Sequence, residues 1–269
     1  MAAAPTLGQL PFKPRYSIAL NKLQDEIGGI KFAHGRSGHC QGAVWYEFRI
    51  GGKKLLFSGD YTENSLMYQC DPIRGRTADI AVVDCAYGND SRSFSECCGE
   101  IFSSVYEMKK RHKTILFPVP KYGRGADLLR LFNENFPNYA CCGDEHFINQ
   151  LNEVTDRFWF RNKPLCSRLF TPNAPCDILF LSDPQLRSSS SQSIADSILA
   201  DGGAAVMTGT PEHGSFSEKL INLGKMKLLR YSVHQNYSEF SALVGQNKFG
   251  RAIPYHSGEF PVNDRVIEL

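Results

Sequence analysis

The sequence carries almost no surplus charge: 30 Lys and Arg stand against 28 Asp and Glu, a formal net charge of +2 over 269 residues. So even a balance gives no general electrostatic reason to bind a polyanion, although a local basic groove remains open. No apolar run approaches the roughly 20 residues of a membrane helix, so no membrane association is expected. The start, Met1-Ala2-Ala3-Ala4-Pro5, has neither a basic region nor an apolar one, and no secretory signal is expected. No CxxC occurs among the 9 cysteines, whose number is odd and which include the adjacent pairs Cys97-Cys98 and Cys141-Cys142. That pattern fits neither a zinc ribbon nor a disulfide framework. It points to buried thiols in a reducing compartment, with the cytoplasm as the expected location. What is present is ordinary for a globular protein: 42% hydrophobic and 22% charged residues, enough chain for one large domain or two modest ones.

Pro5, Pro11 and Pro14 break the start, and Ser17 to Ile27 reads as a short helix. Gly29 to Ala33 reads as a strand. Val44 to Ile50 and Lys53 to Phe57 read as strands joined by Gly51-Gly52, a strong hairpin signal. Asn64 to Arg76 reads as a polar connection, and Asp79 to Asp84 as a buried strand with an acid at its tip. From Tyr87 onward strands and helices alternate. Helices are expected over Phe94–His112 (Phe94, Ile101, Val105 and Met108 facing inward), Gly123–Phe136, Asp144–Phe158, Ser193–Leu199, Ser215–Leu223 and Tyr237–Val244. Strands are expected over Thr114–Val119, Asp177–Leu181, Ala204–Met207, Lys227–Val233 and Ala252–Tyr255. This alternation implies a largely parallel sheet covered by helices. The run Ser188–Ser191 reads as a solvated loop.

The chain is organised around Gly38-His39-Cys40-Gln41-Gly42-Ala43, followed by Phe57-Ser58-Gly59-Asp60. An imidazole and a carboxylate delivered from neighbouring strand ends suit a zinc-type ion, and a carboxylate can bridge two metals. A tight glycine turn holding a satisfied His is the alternative. Asp84 reads equally as a functional tip or as a turn residue. Arg124, at a helix start, has the fork and the helix N–H groups to meet a phosphate, or is a solvated surface arginine. His213 lies in a glycine-rich loop that could touch a substrate. His34 reads as a structural residue on the incoming strand, and His112 and His146 as helix-surface residues.

The stretches GHCQGA, FSGDY, ADIAVVDCAYG, FPVPKYGRGADLLRLF, AVMTGTPEHGSF, YSVHQNYSEF and PYHSGE, in that order, resemble the metallo-β-lactamase fold in its β-CASP branch of nucleic-acid hydrolases. The resemblance runs from about Gly28 to Glu259. It implies an α/β fold: part of a metallo-β-lactamase αββα sandwich (28–86 and 234–269), interrupted by an α/β β-CASP cassette (87–233), after an N-terminal segment (1–27). It implies that His39, Asp60 and His256 hold metal, two Zn2+ in a complete member, with Asp60 bridging. Asp84 would orient His234, and His234 would protonate the leaving oxygen. Arg124, His213 and Ser215 would touch the substrate, RNA or another single-stranded nucleic acid.

The family's HxHxDH motif is absent, since no two of the 7 histidines are separated by one residue. Three explanations stay open: an N-terminally incomplete chain, a diverged scaffold or nucleic-acid-binding subunit, or ligands recruited from a partner chain. A missing front half would leave an exposed sheet edge and apolar face, so association with a second copy or a partner subunit is expected.

Overall fold

The structure, a computed structural model, describes residues 2–8, 19–20, 26–27, 29–153, 157–161, 167–172 and 174–259. In chain order it begins with β1 (Ala2–Ala3), α1 (Ala4–Gly8), β2 (Ala19–Leu20), β3 (Glu26–Ile27), β4 (Ile30–Arg36), β5 (Val44–Ile50), β6 (Lys53–Phe57) and β7 (Thr77–Asp84). Next come α2 (Phe94–Lys109), β8 (Ile115–Pro118), α3 (Arg124–Asn135), β9 (Cys141–Gly143), α4 (Glu145–Glu153), β10 (Arg168–Leu169) and β11 (Ile178–Leu181). The chain continues through α5 (Ser189–Ala200), β12 (Ala204–Met207), α6 (Phe216–Asn222) and β13 (Met226–Leu228), and ends with α7 (Tyr237–Gly245) and β14 (Lys248–Tyr255). It is a mixed α/β protein. Two compact units divide it: Met1–Ser91, Phe158–Arg161 and Ser232–Leu269 form one, Arg92–Arg157 and Asn162–Tyr231 the other. Among the described residues no helix is long and apolar enough to cross a membrane.

The first unit is built on a six-stranded sheet in the order β14-β7-β6-β5-β4-β3. β14, β7 and β6 run parallel, and β6 to β3 pair antiparallel. β4 and β6, both antiparallel to β5, therefore point the same way as β7 and β14. One face, with Trp45, Leu56, Ala81 and Val83, packs against Phe240 and Leu243 of α7. The opposite face carries an aromatic row: Phe32 faces Phe48, and Tyr46 faces Phe57 across the strands, with Tyr46 and Phe48 stacked 5.4 Å apart. Phe57, Ile30 and Ile50 are exposed.

The second unit has a six-stranded sheet, β10-β9-β11-β8-β12-β13, parallel throughout. β8, β11 and β12 are buried along their length, as strands covered on both faces must be. The inner face of α2 is Cys97, Cys98, Ile101, Ser104 and Val105; Ile101 and Val105 are at the expected positions, while Phe94 and Met108 flank the buried set.

Several local expectations are corrected. Ser188–Ser191 is the start of α5, not a loop: the Ser188 hydroxyl accepts from the Ser191 N–H and caps the helix. Asn64–Arg76 is not a polar connection, because it buries Met67, Tyr68 and Ile73 completely or nearly so. The Ser65 hydroxyl accepts from the Met67 and Tyr68 N–H groups, which lets so apolar a turn hold its backbone. Of the helix expected over Asp144–Phe158, Glu145–Glu153 is helical and 157–159 form a turn, while 154–156 lie outside the described residues. The strand expected over Lys227–Val233 stops at Leu228. The helix expected over Ser17–Ile27 falls mostly outside the described residues, and its described pieces, Ala19–Leu20 and Glu26–Ile27, are short strands. His112 lies just past α2, where its Nδ1 is 2.9 Å from the Gly202 carbonyl.

Candidate active site

Four strands of the first unit deliver side chains to one end of the sheet. His39 follows β4, Asp60 follows β6, Asp84 ends β7 and His256 follows β14. The fifth member, His234, precedes α7, whose start is fixed by a reciprocal cap between Asn236 and Glu239. Residues far apart in the chain thus close into one cluster.

Local backbone chemistry explains each placement. Gly38 has φ +77°, and a side chain there would collide with the Thr62 carbonyl, so the turn before His39 demands glycine. Ser37 and Thr62 are joined backbone to backbone, which ties the His39 turn to the Asp60 loop. The Ser58 hydroxyl accepts from the Asp84 N–H at 2.7 Å and so couples the ends of β6 and β7. The Tyr87 hydroxyl accepts from the Val233 N–H, which holds the loop bearing His234. His256 itself sits at φ +78°, a conformation that costs a non-glycine residue energy and that clusters at functional sites.

Asp84 is completely buried. Its Oδ2 accepts from the Tyr61 N–H at 2.9 Å and faces His234 Nδ1 at 2.9 Å; its Oδ1 accepts from the Ala86 N–H at 3.2 Å and lies 3.7 Å from His256 Nδ1. Burial pushes the Asp84 carboxyl up, but His234, His256 and the Tyr61 N–H together outweigh it and hold it at about 2. An ionised Asp84 therefore takes the Nδ1–H of His234 and leaves Nε2 facing outward. The His234 ring packs between His39, 4.7 Å away, and His256, 4.9 Å away, with Tyr87 against its edge.

His39 Nδ1 is 3.0 Å from the Val233 carbonyl, which fixes Nδ1 as the donor and Nε2 as a lone-pair ligand. Burial, followed by the neighbouring His234, lowers the His39 pKa and favours the neutral, ligating form. His256 is pushed the other way, chiefly by Asp84 and then, against burial, by Asp60. The two oxygens of Asp60 face different rings: Oδ2 lies 3.7 Å from His39 Nε2 and Oδ1 3.4 Å from His256 Nδ1. His39, Asp60 and His234 form one possible metal-holding group, and Asp84, His234 and His256 another. The donor chemistry fits zinc-type ions, yet among the described residues it falls short of closing two four-coordinate sites. Burial, followed by Asp60, pushes the Cys40 thiol up to about 11.

Arg124, His213 and Ser215 belong to the second unit. Arg124 opens α3. His213 is solvent-exposed, 3.5 Å from Glu218. Ser215 caps α6 by accepting from the Glu218 N–H. Ser58, Tyr61 and Tyr87 act on the site through backbone contacts; their one sequence signal is position, inside FSGDY and CAYG.

No protein-family model matches the chain. Relatives exist at modest identity. The chain is 25% identical over 118 residues to "Endoribonuclease YSH1" of Kluyveromyces lactis, covering 42% of this chain and 15% of that protein. It is 23% identical over 229 residues to "Endoribonuclease YSH1" of Yarrowia lipolytica, covering 73% and 27%. It is 28% identical over 116 residues to "Cleavage and polyadenylation specificity factor subunit 3" of Dictyostelium discoideum, covering 40% and 14%. The chain thus spans about a quarter or less of these relatives' lengths. Among solved structures, a protein of unknown function from Enterococcus faecalis V583 matches with TM-score 0.55 at 12% identity, covering 95% of this chain and 66% of that one; it speaks to fold alone. These relatives support a β-CASP nuclease-like relationship.

Proposed function

We propose that this chain is a metal-dependent phosphodiesterase of the β-CASP type that cuts RNA, with the first unit a metallo-β-lactamase portion and the second the inserted cassette. The observation that carries the reading is the convergence of His39, Asp60, Asp84, His234 and His256 at one sheet end, with His234 Nδ1 2.9 Å from buried Asp84. The relatives named endoribonuclease support RNA as the substrate.

His39, Asp60 and His256 would hold zinc. Bound there, the metal supplies Lewis acidity and a water of lowered pKa. The chain's own residues do the rest. Asp84 fixes the orientation of the His234 ring through Nδ1. In its imidazolium form, with Nδ1–H held by Asp84, His234 would present Nε2–H to the scissile phosphate, give that proton to the leaving oxygen and be left as the neutral ring. Arg124, His213 and Ser215 are assigned to the RNA strand. The free thiols suit a reducing cytoplasm. The shortage of donors for two closed metal sites favours, as the second reading, a scaffold or RNA-binding subunit that keeps the fold, acting with a partner subunit or a second copy.

His234→Ala separates the two. A nuclease loses at least about a hundredfold in turnover on single-stranded RNA, with zinc content per chain unchanged, as removal of a general acid requires. A wild-type chain without RNA cleavage beyond that of His234→Ala refutes the enzyme reading.

A further inference from the structure

In the second unit the chain leaves β8 toward β9 and later returns to place β12 on the opposite side of β8. The winding therefore reverses between β8 and β12. In open parallel sheets such a reversal opens a crevice at the carboxyl ends of the strands, and ligands bind there. The residues at those ends here are the segment leading to Gly123 and Arg124 after β8, and Thr208-Gly209 after β12.

Three features mark the crevice. First, α3 starts with its N-terminus there; Gly123, at φ +86°, supplies no side-chain cap. Second, the Arg124 guanidinium lies against the Gly209 backbone: a methyl group built on Gly209 would collide with Nη1. The space left by the missing side chain at Gly209 is filled by the arginine at the end of β12. Arg124 Nε is buried there without a hydrogen-bond partner among the described residues. Third, Thr208, next to Gly209, is 1% exposed, and its hydroxyl also finds no partner among the described residues. The Ser182 hydroxyl is also without a partner among the described residues, but it lies beyond Val119, beside Asp144, and is not part of this crevice. A buried hydroxyl or guanidinium N–H without a partner costs about 1–3 kcal/mol, so each such group at one site asks for an explanation. The nearby acid Asp183 is engaged, accepting from the Arg187 and Ser188 N–H groups. Asp127, in the first turn of α3, is buried.

A guanidinium fork, a hydroxyl donor and a helix N-terminus are the chemistry that a tetrahedral oxyanion takes. We propose that the strand ends of β8 and β12 form a phosphoryl-binding site, in which Arg124 and Thr208 donate to phosphate oxygens over the start of α3. The group comes either from the diester backbone of a nucleic acid or from a phosphate monoester or free phosphate. The proposal sharpens the assignment of Arg124 to the RNA strand and rests on that reading only for the diester source.

The test is calorimetric titration of the full chain with inorganic phosphate and, separately, with a short uridine oligonucleotide lacking terminal phosphates. Wild type is compared with Arg124→Ala, Arg124→Lys and Thr208→Val, each followed through thermal unfolding. Arg124→Ala is expected to weaken phosphate at least about tenfold, with Arg124→Lys between it and wild type. Thr208→Val is expected to weaken phosphate about threefold while raising the melting temperature, because it deletes an orphaned hydroxyl. A parallel loss with the oligonucleotide assigns the diester; a loss with phosphate alone assigns the monoester or free phosphate. Phosphate affinities within twofold of wild type in both Arg124→Ala and Thr208→Val overturn the site, as does destabilisation by Thr208→Val. If Arg124→Ala fails to fold, Thr208→Val decides between these outcomes. These titrations score no cleavage, so an inactive chain would leave their outcome standing.

Discussion

Replacing Asp84 by Asn is nearly free of steric change and therefore isolates the electrostatics of the candidate site. The native carboxylate meets donors on both sides: Tyr61 N–H and His234 Nδ1 at Oδ2, Ala86 N–H at Oδ1, with His256 Nδ1 3.7 Å beyond. An amide has one oxygen and one NH2. Whichever way it turns, its NH2 faces N–H groups that previously had an acceptor. Either Tyr61 and His234 lose theirs, or Ala86 does, and the remaining bonds lose the benefit of a full charge. Hydrogen bonds to a charged group contribute about 1.5–3 kcal/mol each, and an orphaned buried donor costs about 1–3 kcal/mol. The expected loss of stability is thus about 3–5 kcal/mol, a large share of a typical domain's total. Urea unfolding of chelator-treated protein at pH 7 measures it, followed by emission of Trp45 and Trp159, both in the first unit. A midpoint shift at constant slope converts directly to free energy. A cost below about 1 kcal/mol would refute the reasoning: Asp84 would then not be the ionised acceptor around which this end of the sheet is built.

Gly35 faces Trp45 across β4 and β5, and a Cβ there would lie 2.5 Å from the indole ring. Gly35→Ala should therefore displace a ring that is 1% exposed, at a cost of about 1–3 kcal/mol, seen as a lower urea midpoint and a shifted tryptophan emission. Asp71 holds both the side chain and the N–H of Arg36, and the guanidinium keeps its carboxyl below the usual carboxylate range. Its folded pKa is depressed, so the stability it contributes is present above the unfolded carboxylate value of about 3.9 and is lost as pH falls through the folded one. Asp71→Asn should accordingly cost stability at pH 6, and the difference from wild type should fade toward pH 3. A difference that grows on acidification would contradict the pairing.

Much of the architecture is legible in the residues themselves, for reasons that can be named. Gly51-Gly52 between two alternating runs fixes β5 and β6, and short apolar runs fix β8, β11 and β12, because local pattern alone decides those elements. Ser188–Ser191 misleads because a serine that caps a helix and a serine in a loop look alike until the partner N–H is placed. Asn64–Arg76 misleads because its polar residues hold the backbone while Met67, Tyr68 and Ile73 are carried inward. β9 is a three-residue strand of Cys-Cys-Gly, too short for periodicity to register. At the candidate site the motifs point to the His and Asp residues that the sheet brings together, but not to Ser58 or Tyr61, which contribute a hydroxyl acceptor and a backbone N–H across the sheet.

The member that completes the cluster comes last in the chain. His256 is positioned by β14, which adds to β7 in parallel over seven matched positions from Lys248–Thr77 to Tyr255–Asp84. Parallel pairing across so long an intervening stretch is slow, because the entropy of closing the loop is spent before any contact repays it. During synthesis, His39, Asp60 and Asp84 emerge early and wait without their partners, and a chain stopped before Lys248 contains most of the cluster but cannot assemble it. The cluster therefore cannot be complete until β14 has docked on β7, and its appearance reports that docking.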